Sequence, residues 1–326
     1  MPASSKILEN RNGQLVDVIS TKAKDLNNID MVTDAIWTDY DNDNDDDLMI
    51  VGEWMSITIL ENNDSRFTKK SIPNLKNTTG WWFSIEQGDF DSDGDMDYIA
   101  GYLGLNYKYK TSIEEPFDIY YKDFDANGKK DIVLGYYNAN KHYPLRGFSC
   151  SSNQVPILKN NIEKYDLFAS MEINDVYGED NLSDALHYQA DTFANSYLEN
   201  LGNGKFQISN LPIEAQLSSI NDILIDDFNA DGNLDALLVG NLFVSEIETP
   251  RNDAGVEVVL LGSNDNTFKS LANSKSGFFA NKDAKKIKSL KGLHENFILV
   301  ANTNDSLQIF NKNSNLKLQV KHFILN

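Results

Sequence analysis

The chain of 326 residues is 41% hydrophobic and 11% aromatic, enough to bury a large core, which excludes a solvated acidic tail. Its 49 acidic against 29 basic residues leave a formal charge of −20 that repels phosphate backbones and anionic lipid, so no nucleic-acid or membrane-surface partner is expected. The single cysteine, Cys150, rules out an internal disulfide and multi-cysteine zinc sites and is expected to be a buried thiol, and no apolar run approaches the ~18 residues of a membrane span.

In chain order, residues 7–16 predict a hairpin, two short arms around an Asn/Gly turn. No acidic loop precedes it, which implies that the sequence begins midway through a repeating unit, trimmed at the N-terminus or closed by the C-terminal strands. Residues 39–47 are the first of four Asp-rich loops, and the others are 89–97, 123–131 and 227–235. Each is followed by an apolar run closed by a glycine (Gly52, Gly101, Gly135 and Gly240), the pattern of a buried strand. Hairpins like the first recur at 59–68 and 197–206, with weaker copies at 258–268 and 307–317. Loop-to-loop spacings of 50, 34 and 104 residues predict one shortened unit and one with an insertion. Residues 155–190 show helical rather than alternating spacing, which places a small helical insertion there, with the hairpin at Tyr197 completing the interrupted unit.

A unit of acidic loop, inner strands and outer hairpin, repeated at tens of residues, predicts an all-β fold. The expectation is a β-propeller of four-stranded blades, or part of one, in a single domain over 1–326, with a linear β-solenoid as the competitor.

The loops carry the chemistry. Oxygen-bearing side chains stand at positions 1, 3, 5 and 9: Asp39, Asp41, Asp43 and Asp47; Asp89, Asp91, Asp93 and Asp97; Asp123, Asp125, Asn127 and Asp131; Asp227, Asn229, Asp231 and Asp235. Position 7 (Asp45, Asp95, Lys129, Asn233) is assigned a backbone carbonyl ligand, and position 6 is Asn44, Gly94, Gly128 or Gly232, types that tolerate positive φ. Position 2 is aromatic throughout (Tyr40, Phe90, Phe124, Phe228). Calcium takes six to eight hard oxygen ligands in a flexible shell, so these loops predict about four structural Ca2+ ions. An EF-hand needs a Glu at position 12, where this chain has Ile50, Ala100, Leu134 and Leu238. The bland alternative is metal-free acidic turns, which would leave at least five carboxylates in nine residues uncompensated in each of the first two loops. Extracellular calcium modules bind weakly enough to stand empty at cytosolic calcium, so a secreted or cell-surface parent is expected although the sequence shows no signal peptide.

The loop, apolar run and glycine together resemble FG-GAP/VCBS repeats, and the pattern is similar to bacterial relatives of cartilage acidic protein. Residues 32–37, 52–54, 80–82, 104–110, 114–116 and 143–144 carry that likeness alongside the loops. The resemblance implies a seven-bladed integrin-α-like propeller with structural calcium, often attached to other extracellular domains, and no catalytic activity. The chain departs from it after about Asn281, where strand patterns continue without Asp ligands.

Trp37, Trp54, Trp81 and Trp82 are read first as packing between blades and second as a platform for sugar rings. Lys141, His142, Tyr143 and Arg146 form a polar cluster, from which His142 and Arg146 join Trp54, Trp81 and Trp82 as candidate ligand-binding residues. His187, His294 and His322 have no zinc-site spacing and are expected to be structural. No phosphate loop, Gly-x-Ser-x-Gly elbow or Cys/His pair is present. The expected function is therefore a noncatalytic extracellular binding or adhesion module for a protein or carbohydrate. The alternatives are a polysaccharide-acting propeller enzyme and a purely structural domain of a larger secreted protein.

Overall fold

The computed structural model describes residues 4–245, 249–293, 295–312 and 319–320, so His294, His322 and residues 313–317 of the last predicted hairpin lie outside the described residues. The chain forms two compact units, one of Met1–Lys108 with Phe193–Asn326 and one of Tyr109–Thr192. The fold is mostly antiparallel β-sheet, in separate four-stranded sheets rather than the continuous ladder of a solenoid.

The first unit opens with the hairpin β1 (Leu8–Arg11) and β2 (Gln14–Asp17), which pair with each other. The first large sheet runs β3 (Met31–Thr38), β4 (Asp47–Met55), β5 (Thr58–Asn63), β6 (Arg66–Lys70), with β7 (Gly80–Trp81) also against β4. The second runs β8 (Ser84–Gly88), β9 (Asp97–Gly101), then β14 (Ser196–Asn200) and β15 (Phe206–Asn210). The third is β16 (Ile220–Asp226), β17 (Asp235–Gly240), β18 (Val258–Ser263), β19 (Thr267–Leu271). The fourth is β20 (Ala284–Lys291), β21 (Asn296–Asn302), β22 (Gln308–Lys312), β23 (Gln319–Val320). First strands are neighbours in succession, β3 beside β8, β8 beside β16 and β16 beside β20, a propeller-like arrangement within this unit. The C-terminal strands thus build a sheet of their own.

Period-two alternation shows how the third sheet buries both faces. On β17, Leu237 and Val239 pack with Ile287, Ile298 and Val300 of the fourth sheet. Ala236 and Leu238, on the opposite face, pack with Ile99 and Tyr197 of the second. Polar side chains at strand bulges then tie the sheets together. Thr33 donates to Trp82 O at 2.8 Å and Asp34 accepts from Ile85 N at 3.2 Å, while Asn221 donates to Ala284 O at 2.7 Å and Asp222 accepts from Ile287 N at 2.7 Å. In the first unit the glycine closing each apolar run lies close against backbone at or beside a first strand: a Cβ on Gly101 would stand 2.2 Å from Ile220 O, and one on Gly240 1.6 Å from Ser219 O.

The second unit holds β10 (Phe117–Lys122), β11 (Asp131–Asn138), β12 (Lys141–Pro144) and β13 (Leu186–Ala190), in the order β12-β11-β10-β13. Five short helices lie between β12 and β13: Phe148–Gln154, Leu158–Asn161, Tyr165–Ser170, Ile173–Tyr177 and Glu179–Ser183. Val155, Leu158, Ile162, Phe168, Ile173, Val176 and Leu182 from this stretch form its core with Val133 of β11.

Three expectations differ from what is found. The inserted segment is the whole second unit with its own sheet and the third Asp loop, and not only residues 155–190. The hairpin at Tyr197 completes the sheet of the second loop, because Tyr197 and Leu198 pair with Ile99 and Tyr98. The loop spacings of 34 and 104 therefore record one interruption of the second sheet rather than a short unit followed by an interrupted one. Cys150 is exposed, a correction of the buried thiol: it sits on a helix whose buried positions are taken by Ser151 and Ser152.

Candidate metal loops

Every Asp loop joins two neighbouring strands of one sheet, β3 to β4, β8 to β9, β10 to β11 and β16 to β17, and its position 9 is the first residue of the second strand. Both positions 4 and 6 are left-handed: Asn42 and Asn44, Ser92 and Gly94, Ala126 and Gly128, Ala230 and Gly232, with φ between 58° and 99°. Position 6 was anticipated from residue type. Position 4 was not, because Ser92, Ala126 and Ala230 carry no such preference. This backbone turns successive N–H groups inward. Position 1 accepts the position 5 N–H at 3.1 Å in Asp39 and Asp89, 3.0 Å in Asp123 and 3.2 Å in Asp227.

Position 9 anchors the loop. Asp47, Asp97, Asp131 and Asp235 are at most 4% exposed. Each accepts the N–H of the aromatic residue at position 2, at 3.4, 3.3, 3.0 and 3.0 Å. In the first unit the other carboxylate oxygen takes an N–H from the third strand of the sheet: Asn62 at 2.7 Å, Asn200 at 2.8 Å and Gly262 at 3.0 Å. Burial pushes Asp47, Asp97 and Asp235 up to about 6.

Carboxylate oxygens of Asp39, Asp41 and Asp43 come within 4.8 Å of one another, as do those of Asp89, Asp91 and Asp93, and of Asp123, Asp125 and Asp131. Among the described residues the fourth loop, with Asn229 at position 3, forms no such triple. Position 7, assigned only a carbonyl from sequence, carries a carboxylate with a buried oxygen in the first two loops. Asp41 Oδ1, Asp45 Oδ1 and Asp95 Oδ1 are buried atoms that no protein donor meets. Asp95 is 8% exposed, and burial followed by the neighbouring Asp93 pushes it up to about 7. Carboxylate triples from alternate loop positions, with buried, unmet carboxylate oxygens in the same loops, suit a hard divalent cation. In the third loop Lys129 and Lys130 follow the Asn127 amide, and in the fourth Asn229 and Asn233 dilute the charge.

The remaining candidates do not converge on one site. Trp82 is 1% exposed and donates Nε1–H to Thr78 O at 2.7 Å, and Trp54 is 6% exposed with its ring 4.8 Å from that of Trp81. Burial removes Trp54 and Trp82 as a solvent-facing platform, whereas Trp37 is 49% exposed against Phe67. Arg146 donates to Gln154 at 3.0 Å. His142 joins a cluster missed in the sequence: buried Asp118 on β10 receives His187 Nε2 of β13 at 2.6 Å, and His142 Nε2 of β12 stands 3.0 Å from its other oxygen. The two imidazoles stack on Tyr120 and Tyr137, each pair with centroids 4.4 Å apart. Burial raises the Asp118 carboxyl, but the two imidazoles outweigh it and hold the group below the usual carboxylate range. Asp118 and His187 lie 69 residues apart, so no local motif could signal the pair. Asp118→Asn, which removes the charge facing both rings, is expected to destabilise the second unit by about 2 kcal/mol in denaturant melts.

Separate antiparallel sheets, four of which carry an Asp loop between two neighbouring strands, define a propeller-like β-protein with candidate cation loops. Residues 39–100, spanning the first two loops, match the FG-GAP-like repeat family. No curated protein matches the chain. Among the described residues no helix is long and apolar enough to cross a membrane.

Proposed function

We propose that this chain is a calcium-dependent, noncatalytic binding module of the FG-GAP/VCBS type, acting at the cell surface or in the extracellular space on a protein or carbohydrate. The observation that carries the cation is the set of buried, unmet oxygens of Asp41, Asp45 and Asp95 beside two carboxylate triples. In the first two loops positions 1, 3, 5 and 7 would hold the ion, with position 9 tying the filled loop to the next strands. The ion supplies charge neutralisation, and the protein supplies a rigid loop. The FG-GAP-like match supports a binding rather than a catalytic role. Weak, extracellular-type calcium affinity would suit that setting.

The test is calorimetric titration of chelator-treated protein with Ca2+. Saturable binding at two or more sites, weakened by Asp93→Asn, is expected. Absence of binding at millimolar Ca2+ would sink the cation reading.

A further inference from the structure

The turn between β18 and β19, on the third sheet, reaches the second loop, which belongs to the second sheet. Phe268 of β19 packs on Phe90, the position 2 aromatic of that loop, and on Tyr197, with both centroid distances 5.1 Å. Two residues earlier, half-buried Asn266 donates Nδ2–H to Asp91 Oδ2 at 3.0 Å and to Glu199 Oε1 at 2.8 Å. Its Oδ1 lies 2.9 Å from Tyr197 Oη, which is also 2.7 Å from Asp97 Oδ2. Two carboxylates facing Nδ2 fix the amide orientation, since the flipped amide would set its oxygen against both. The single tyrosine proton goes to one of its two acceptors at a time.

Asp91 is thereby held from both sides: its Oδ1 takes the N–H of Asp93 within the loop at 3.2 Å, and its Oδ2 takes Asn266. A neutral donor from another sheet orients the position 3 carboxylate without adding charge. Asn266 also has φ of 58°, a turn conformation that asparagine tolerates. A cross-sheet amide reaches the first loop as well, at its backbone: Asn200 Nδ2, from the second sheet, donates to Tyr40 O at 2.9 Å.

We propose that Asn266 is a positioning residue for the cation of the second loop, so that filling this loop locks the β18–β19 hairpin onto the second sheet. This rests on the cation reading above. Orientation of a ligand by an outer partner commonly changes affinity 10–100-fold, and coupling between cation and hairpin must be reciprocal.

Hydrogen exchange of residues 258–271 in the full chain, with chelator and with saturating Ca2+, is paired with calcium titration of wild type, Asn266→Ala and Asp91→Asn. Expected are Ca2+-dependent protection of 258–271 in wild type and about 10-fold weaker binding at one site in Asn266→Ala, with that protection lost. Phe268 keeps the apolar docking in Asn266→Ala. Asp91→Asn, which leaves Asn266 in place, is expected to abolish the Ca2+ response of the hairpin independently. Calcium binding by wild type with no protection of 258–271, or unchanged binding in Asn266→Ala, overturns the inter-sheet role alone. No binding in wild type overturns the cation reading with it.

Discussion

Asp97→Ala is expected to destabilise the first unit by about 4 kcal/mol in chelator-treated protein, measured by denaturant unfolding, because each buried donor left unmet costs ~1–3 kcal/mol. Asp97 is fully buried and meets three groups: Phe90 N at 3.3 Å, Asn200 N at 2.8 Å and Tyr197 Oη at 2.7 Å. Phe90 and Asn200 are themselves buried, so no water can replace the carboxylate. Asp93→Ala is the contrast. Asp93 is exposed and its carboxylate serves the loop itself through Asp95 N at 3.0 Å, so its loss should stay within ~0.5 kcal/mol under chelation yet abolish most of the calcium response of that loop. On this reading position 9 would hold the fold and position 5 the ion. Equal destabilisation by both substitutions under chelation would refute that division.

Stability should fall with pH in the chelated protein, while the increment from calcium should grow. Without calcium, Asp47, Asp97 and Asp235, raised to about 6, and Asp95, raised to about 7, hold protons more tightly folded than unfolded. Their contribution is complete below the unfolded carboxylate range and is lost as pH rises through 6 to 7, so the melting temperature of the chelated protein should fall from pH 5 to 7. Glu257, 4% exposed and pushed up to about 9 by burial, adds the same sign over this window, and Glu257→Gln should flatten the slope with or without calcium. Calcium needs an ionised Asp95, so the melting-temperature gain on adding Ca2+ should grow from pH 5 to 7. A calcium increment that shrinks over that range would count against ligation by Asp95.

Much of this was legible because it is written locally. The loop signature lies within nine residues, the closing glycine marks a close crossing, and the hairpins follow turn chemistry. The order of pairing was not. Tyr197 and Leu198 find Ile99 and Tyr98 from beyond the second unit in sequence, and chain order alone assigned that hairpin to the third loop. The signal was present in the repeated Leu-Glu-Asn of the hairpins: Asn62 and Asn200 are the residues whose N–H groups meet Asp47 and Asp97. The left-handed position 4 was hidden because the loop's inward N–H groups, not the residue's own preference, select it. The Asp118 cluster and the Asn266 contact are tertiary, joining strands far apart in sequence.

The most direct test is a crystal structure of the protein grown or soaked in saturating Ca2+, with anomalous difference density calculated around residues 89–97. A peak is expected about 2.3–2.6 Å from carboxylate oxygens of Asp89, Asp91 and Asp93, with Asp95 Oδ1 turned to it. A well-ordered loop with no density at that point, in crystals saturated with calcium, would contradict it.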